Sequence, residues 1–318
     1  MQASKSAQRS PQSISHGAAR ITTRREFLQR SAAFAGAAII SPALLSAAEK
    51  PPVRSALDQV MLGKTGLKLS RLGMGTGSNS GHVQQALGQQ AFNDLIRYAY
   101  DRGLTYFDCA QSYVTFDWIG GAIKGLPREK LFLQSKIPGQ PQDVLKIIDH
   151  HRKVFNTDYV DSLLIHCMVK DGWTDPWKRI MDGFEEAKAK QWIRVKGVSC
   201  HSLPALRTAT DSDWPQVHLV RVNPQAKHID GPDEHWQTNP GKDISPVLRQ
   251  IKAMHAKGRG VIGMKLVGDG DFRNPEDREK AARFAMAQPE IDAVVIGFKS
   301  RAEIDEAIQR IDRALAVS

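Results

Sequence analysis

The chain has 318 residues, 41% of them hydrophobic and 25% charged, with a formal net charge of +10. Residues 1–48 carry six basic side chains (Lys5, Arg9, Arg20, Arg24, Arg25 and Arg30) against Glu26 alone, so half of that charge is local; the rest has no Lys/Arg run of the kind a nucleic-acid partner needs. Three widely spaced cysteines, Cys109, Cys167 and Cys200, exclude a disulfide framework, and no Cys-x-x-Cys or His-Glu-x-x-His cluster points to a metal.

The first element is an address. Arg24-Arg25-Glu26-Phe27-Leu28 precedes a short apolar run, Ser31 to Ile40, then Pro42 and the small-residue end Ser46-Ala47-Ala48. A charged start, a short apolar centre and a small-residue cleavage site read as a secretory signal. The paired arginines followed by Phe-Leu resemble the twin-arginine type. That resemblance implies recognition by the twin-arginine export machinery, a folded cargo, cleavage after Ala48 and a periplasmic or secreted product. The apolar run is too short to span a bilayer, so no stable membrane insertion is expected after cleavage.

Residues 49–318 are expected to form one domain. Residues 59–69 read as a β-hairpin turning at Lys64-Thr65-Gly66. Eight short apolar runs follow, each trailed by an amphipathic segment. The strands are expected at Arg71–Gly75, Thr105–Asp108, Leu131–Lys136, Val160–His166, Val195–Ser199, Val217–Asn223, Gly260–Lys265 and Ala293–Gly297. Helices are expected near 84–102, 116–124, 141–155, 174–190, 202–210, 243–257, 273–287 and 301–315. Runs such as Val294-Val295-Ile296 suit strands buried on both faces. An open doubly wound sheet fits the same alternation. Eight similar units favour closure into an α/β fold, a (β/α)8 TIM barrel, which needs about 250 residues.

In such a barrel chemistry sits at the C-terminal strand ends. Those positions hold Asp108, Tyr113 in the following loop, Lys136 and His166. A carbonyl accepts hydride from a nicotinamide if an acid protonates the developing alkoxide. An unperturbed tyrosine, with a pKa of about 10, is a slow donor near neutrality. A lysine ammonium about 4 Å away contributes on the order of 4 kcal/mol at an effective dielectric of about 20, enough to lower the phenol by about two to three pKa units. Asp108 would hold that lysine and partly offset it. His166 would orient the carbonyl oxygen.

Leu72-Gly73-Met74-Gly75-Thr76-Gly77, Phe107-Asp108-Cys109-Ala110-Gln111-Ser112-Tyr113, Ser135-Lys136 and Leu164-Ile165-His166 resemble the aldo-keto reductases, over residues 59 to about 315. The resemblance implies an Asp-Tyr-Lys-His catalytic set at Asp108, Tyr113, Lys136 and His166. It also implies an extended nicotinamide dinucleotide across the barrel mouth and a small carbonyl substrate. It places cofactor contacts at Gly75 and Thr76, at Ser199 with Cys200 replacing the usual Asn, and at Asn223. Met264 would pack on the nicotinamide and Lys265 would meet phosphate. Lys299, Ser300 and Arg301 would grip an adenosine 2′-phosphate, which favours NADP with NAD as the other choice. Glu303 and Ala307 depart from the family pattern in the same loop and helix. The glycine run Gly73-x-Gly75-x-Gly77 also mimics a dinucleotide fingerprint, but Ser78 stands where the third glycine belongs. Two further readings keep the fold and change the role: a nicotinamide-binding partner protein without turnover, and a barrel isomerase or dehydratase.

Overall fold

The computed structural model describes residues 54–236 and 243–317. The expected signal segment lies outside the described residues. From Pro52 onward the chain is one compact unit. It opens with the expected hairpin, β1 (Gln59–Met61) against β2 (Lys68–Ser70), in the register Gln59↔Ser70, Val60↔Leu69 and Met61↔Lys68. Eight parallel strands follow: β3 (Leu72–Gly75), β4 (Tyr106–Asp108), β5 (Phe132–Ile137), β6 (Val160–Met168), β7 (Ile193–Cys200), β8 (Val217–Arg221), β9 (Gly260–Met264) and β10 (Ala293–Gly297). They close in sequence order, with β10 pairing both β3 and β9, into a barrel.

Each strand is followed by a helix: α1 (Gln89–Asp101), α2 (Ile119–Ile123), α3 (Val144–Phe155), α4 (Lys178–Ala189), α5 (Leu203–Asp211), α6 (Ser245–Ala256), α7 (Pro275–Met286) and α8 (Arg301–Leu315). α8 shows why these segments are helical. Ile304, Ala307, Ile308, Ile311, Ala314 and Leu315 recur at helical spacing and are its buried face. No helix among the described residues is long and apolar enough to cross a membrane.

The pleat sorts strand residues into two cores. Tyr106, Phe132, Leu164, Val195, Val217, Leu219 and Ile262 fill the barrel, while Phe107, Leu133, Leu163, Val198 and Val220 pack outward under the helices. The hairpin closes the bottom. Leu62, Leu67 and Leu69 join the inner cluster, and a Cβ on Gly260 would meet the Leu62 side chain at 2.5 Å. The mouth at the opposite end is therefore the open face.

Several expected boundaries move. β8 stops at Arg221 and β9 at Met264, so Asn223 and Lys265 lie in loops; Lys265 takes a left-handed φ of 62° that ends the ladder. β6 runs past His166 to Met168 through a register shift between Ile165 and Met168. α3 starts only at Val144, because Asp143 caps it by accepting from the Lys146 amide at 2.8 Å.

Candidate active site

β4 and β5 carry the centre of the site. Asp108 pairs with Gln134 in register, and the pleat turns Asp108, Gln134 and Lys136 into the barrel. Lys136 Nζ donates to Asp108 Oδ2 at 2.7 Å, to the Cys109 carbonyl at 2.8 Å and to Tyr113 Oη at 3.2 Å. An ammonium has three donors, and all are used. Gln134 was not singled out from sequence. Its amide donates to Asp108 Oδ1 and to the Tyr106 hydroxyl, both at 2.8 Å, and its carbonyl accepts from Ser162 Oγ at 2.9 Å. Its position two residues before Lys136, on the same face of a strand, was the available signal.

Tyr113 is held from outside the strand. Its amide closes a turn onto the Ala110 carbonyl at 3.0 Å, and the Val114 amide reaches the Ser80 carbonyl at 3.1 Å. A Cβ on Gly77 would lie 2.3 Å from Tyr113 Cζ, so only glycine lets that backbone approach the phenol. His166, at the bulge in β6, places Nδ1 3.3 Å from Ser112 Oγ, and its ring meets Tyr113 edge-on at 5.7 Å.

The electrostatics differ from the sequence expectation. Burial pushes the Tyr113 phenol up to about 12, with Lys136 pulling it down and Asp108 opposing that pull. Burial acts against the Lys136 charge, but Asp108 and then Tyr113 outweigh it and hold the ammonium at about 12. Burial, then the Lys136 charge, lowers His166 to about 3, so the imidazole is neutral at ordinary pH. The set is thus a protonated phenol, a fixed ammonium and a neutral imidazole.

A cavity of about 540 Å³ starts at Asp108 and Tyr113 and continues along the ends of β9 and β10 to α7 and α8. Gly75, Met264, Lys265 and Lys299 line it. Ser199 faces the barrel interior, fully buried, and its Oγ has no hydrogen-bond partner among the described residues. A buried orphan of this kind on the inner face of the barrel suits a polar ligand group. The remaining expected contacts are engaged elsewhere. Thr76 Oγ1 donates to the Asp108 carbonyl at 3.1 Å. Asn223 donates to the Lys227 and Lys265 carbonyls at 2.6 and 3.2 Å. Lys265 pairs with Asp269 at 2.7 Å. Cys200 turns outward beneath α5, where its thiol lies 3.5 Å from the Ala205 carbonyl. Ser300 Oγ caps α8, accepting from the Glu303 amide at 3.3 Å. The Arg301 guanidinium stands 5.0 Å over the Tyr98 ring. Of the aromatics after β6, Trp173 is a core residue, 1% exposed, with its indole N–H on the Ala205 carbonyl at 3.1 Å.

Known proteins share both sequence and fold with this chain. An NAD/NADP-dependent indole-3-acetaldehyde reductase of Schizosaccharomyces pombe is 27% identical over 141 residues, 42% of this chain and 48% of that protein. A glyoxal reductase of Bacillus subtilis is 27% identical over 137 residues, covering 42% and 49%. The chain spans about half the length of these curated relatives. The holo form of an aldo-keto reductase from Bacillus halodurans superposes with a TM-score of 0.63 at 16% identity, over 82% of this chain and 95% of that one. A Klebsiella pneumoniae aldo-keto reductase in complex with NADPH gives 0.60 at 17% identity, over 80% and 89%. The aldo/keto reductase family model matches residues 71–314, nearly the whole barrel, and the chain belongs to that family.

Proposed function

We propose that the protein reduces an aldehyde or ketone to an alcohol, with Tyr113 as proton donor and a reduced nicotinamide dinucleotide as hydride source. The observation that carries this reading is the 3.2 Å contact between Lys136 Nζ and Tyr113 Oη at the inner end of the cavity. Names among the relatives, an indole-3-acetaldehyde reductase and a glyoxal reductase, support an aldehyde class. When bound, the dinucleotide supplies the hydride. Ser199, Gly75 and Met264 are the residues that would hold its nicotinamide end.

Tyr113 then gives its proton to the carbonyl oxygen as negative charge builds there. A phenol held near 12 keeps that proton until an alkoxide, a stronger base, develops beside it. Lys136 already donates to Oη and stabilises the phenolate left behind. Asp108 and Gln134 fix Lys136, and neutral His166 offers a ring nitrogen to the substrate oxygen. Tyr113→Phe keeps the ring and removes the donor. Its turnover of an aldehyde panel should fall by about 10²–10⁴-fold while dinucleotide affinity stays unchanged. Undiminished reduction by that variant would remove Tyr113 from the role, and bound dinucleotide without turnover in the wild type would favour a binding protein.

We propose further that residues 1–48 send the folded chain through the twin-arginine route and are then removed. Intact mass of the periplasmic protein should begin at Glu49, and Arg24→Lys with Arg25→Lys should leave the chain in the cytoplasm. Export of that double variant would refute the address.

A further inference from the structure

The charges at the far end of the cavity set which dinucleotide it takes. This inference rests on the nicotinamide reading, which puts the reacting end at Tyr113 and hence the adenosine end against α7 and α8. Several cations line that end, but most are already matched. Arg278 Nε donates to Glu306 Oε1 at 2.6 Å, and its Nη1 donates to the Phe272 and Arg273 carbonyls at 3.0 and 2.6 Å. Arg310 bonds Glu306 at 2.8 Å and Glu279 at 2.9 Å. Lys265 is held by Asp269 at 2.7 Å. Arg301, over Tyr98, is not among the lining residues.

Arg273 and Lys299 remain as lining cations without an ion-pair partner among the described residues. Two positive charges match a pyrophosphate, one for each phosphate. A 2′-phosphate would add about −1.5 to −2 more, and no uncommitted cation is left for it among the described lining residues. The start of α8 would ordinarily attract such an anion. There the chain supplies its own: Glu303 lines the cavity, and its Oε2 accepts the Lys299 amide at 2.8 Å.

We propose that the cavity selects NAD(H) against NADP(H), and that Glu303 is the discriminating residue. Its carboxylate is an acceptor for the hydroxyls of an adenosine ribose, and it repels a phosphate in the same place. A single acid performs this selection at the ribose in other dinucleotide folds. The reading reverses the preference for NADP drawn from the order Lys299-Ser300-Arg301. Ser300 is spent on the cap of α8 and Arg301 on Tyr98, which leaves Lys299 alone of the three facing the cavity.

The test is equilibrium binding of NADH and NADPH to the purified mature protein, read by cofactor fluorescence without substrate. The wild type should bind NADH at least about tenfold more tightly than NADPH. Glu303→Gln should tighten NADPH by about tenfold and, by removing a charged acceptor for the ribose, weaken NADH, so the preference for NADH falls by at least about tenfold. Equal affinities in the wild type, or tighter NADPH, overturn the proposal without any variant being needed. An unchanged ratio in Glu303→Gln removes Glu303 from it. Binding of neither dinucleotide overturns the underlying nicotinamide reading, and this inference with it.

Discussion

Lys136 is the residue on which the site turns. It is 1% exposed, and burying a charge that deeply is tolerated only with full pairing. Asp108 supplies the countercharge, and the Cys109 carbonyl and Tyr113 Oη take the other two protons. Lys136→Met would leave Asp108 buried without its cation, a loss of about 3–5 kcal/mol of stability. It would also remove the one neighbour that lowers the Tyr113 phenol. If Tyr113 is the proton donor proposed above, it acts as phenolate in the direction of alcohol oxidation, so the rising limb of the pH–rate profile should move to higher pH. Urea unfolding checks the first effect and the pH profile the second; a limb that stays in place would show that Lys136 does not tune the phenol. The sequence order of the four side chains identified them, but the sign of the phenol shift was not legible. It depends on how completely Tyr113 is desolvated, which is set by Gly77 and the β3 loop packed on its ring.

At the level of elements, local rules explain both the successes and the misplacements. Apolar runs fixed the strands, and the polar residues closing most of those runs marked the mouth. Cys200 follows Ser199 directly, so the pleat that turns Ser199 inward turns Cys200 under α5. A two-residue period lets only one of the two face the mouth, and that much could be read beforehand. Ser300 and Glu303 have the spacing of a capping box, and Ser300 indeed serves α8. The helix needs that oxygen more than a ligand does, because an uncapped first turn leaves its amides unsatisfied. Arg301 then falls on the side of α8 that faces α1 and Tyr98. Gln134 is the opposite case. A glutamine inside an apolar strand reads as an exception, and only the β4–β5 register shows it reaching Asp108, Tyr106 and Ser162 together.

For the whole molecule, burial of titratable groups sets the response to acid. His218 sits in β8 with both ring nitrogens unpartnered among the described residues. Burial, then Arg259 and Lys257, lowers it to about 3. Below about 6.5 the unfolded chain therefore binds a proton that the folded chain refuses, so this group costs stability as pH falls from about 6.5 toward 3. His151 and His166, both also near 3, act in the same direction. Asp230, raised by burial to about 7 despite Arg221, acts in the opposite sense. Comparing the wild type with His218→Leu isolates one group. The variant should gain on the wild type as pH is lowered from 7 to 4.5, by at most about 1.4 kcal/mol per pH unit in urea titrations. A constant difference across that range would mean that His218 protonates freely in the fold.

The sequence by itself determined the eight strand–helix units, the hairpin and the strand ends that carry Asp108 and Lys136. Those features follow from periodicity and spacing, which are properties of neighbours in the chain. Tertiary structure alone decided which charges are spent and which are free. Glu306 gathers Arg278 from α7 and Arg310 from its own helix, Gln134 braces Asp108 across two strands, and Glu303 lines the cavity with its carboxylate on the Lys299 amide. Coulomb energy depends on distance and on the water removed around each pair, and barrel closure sets both.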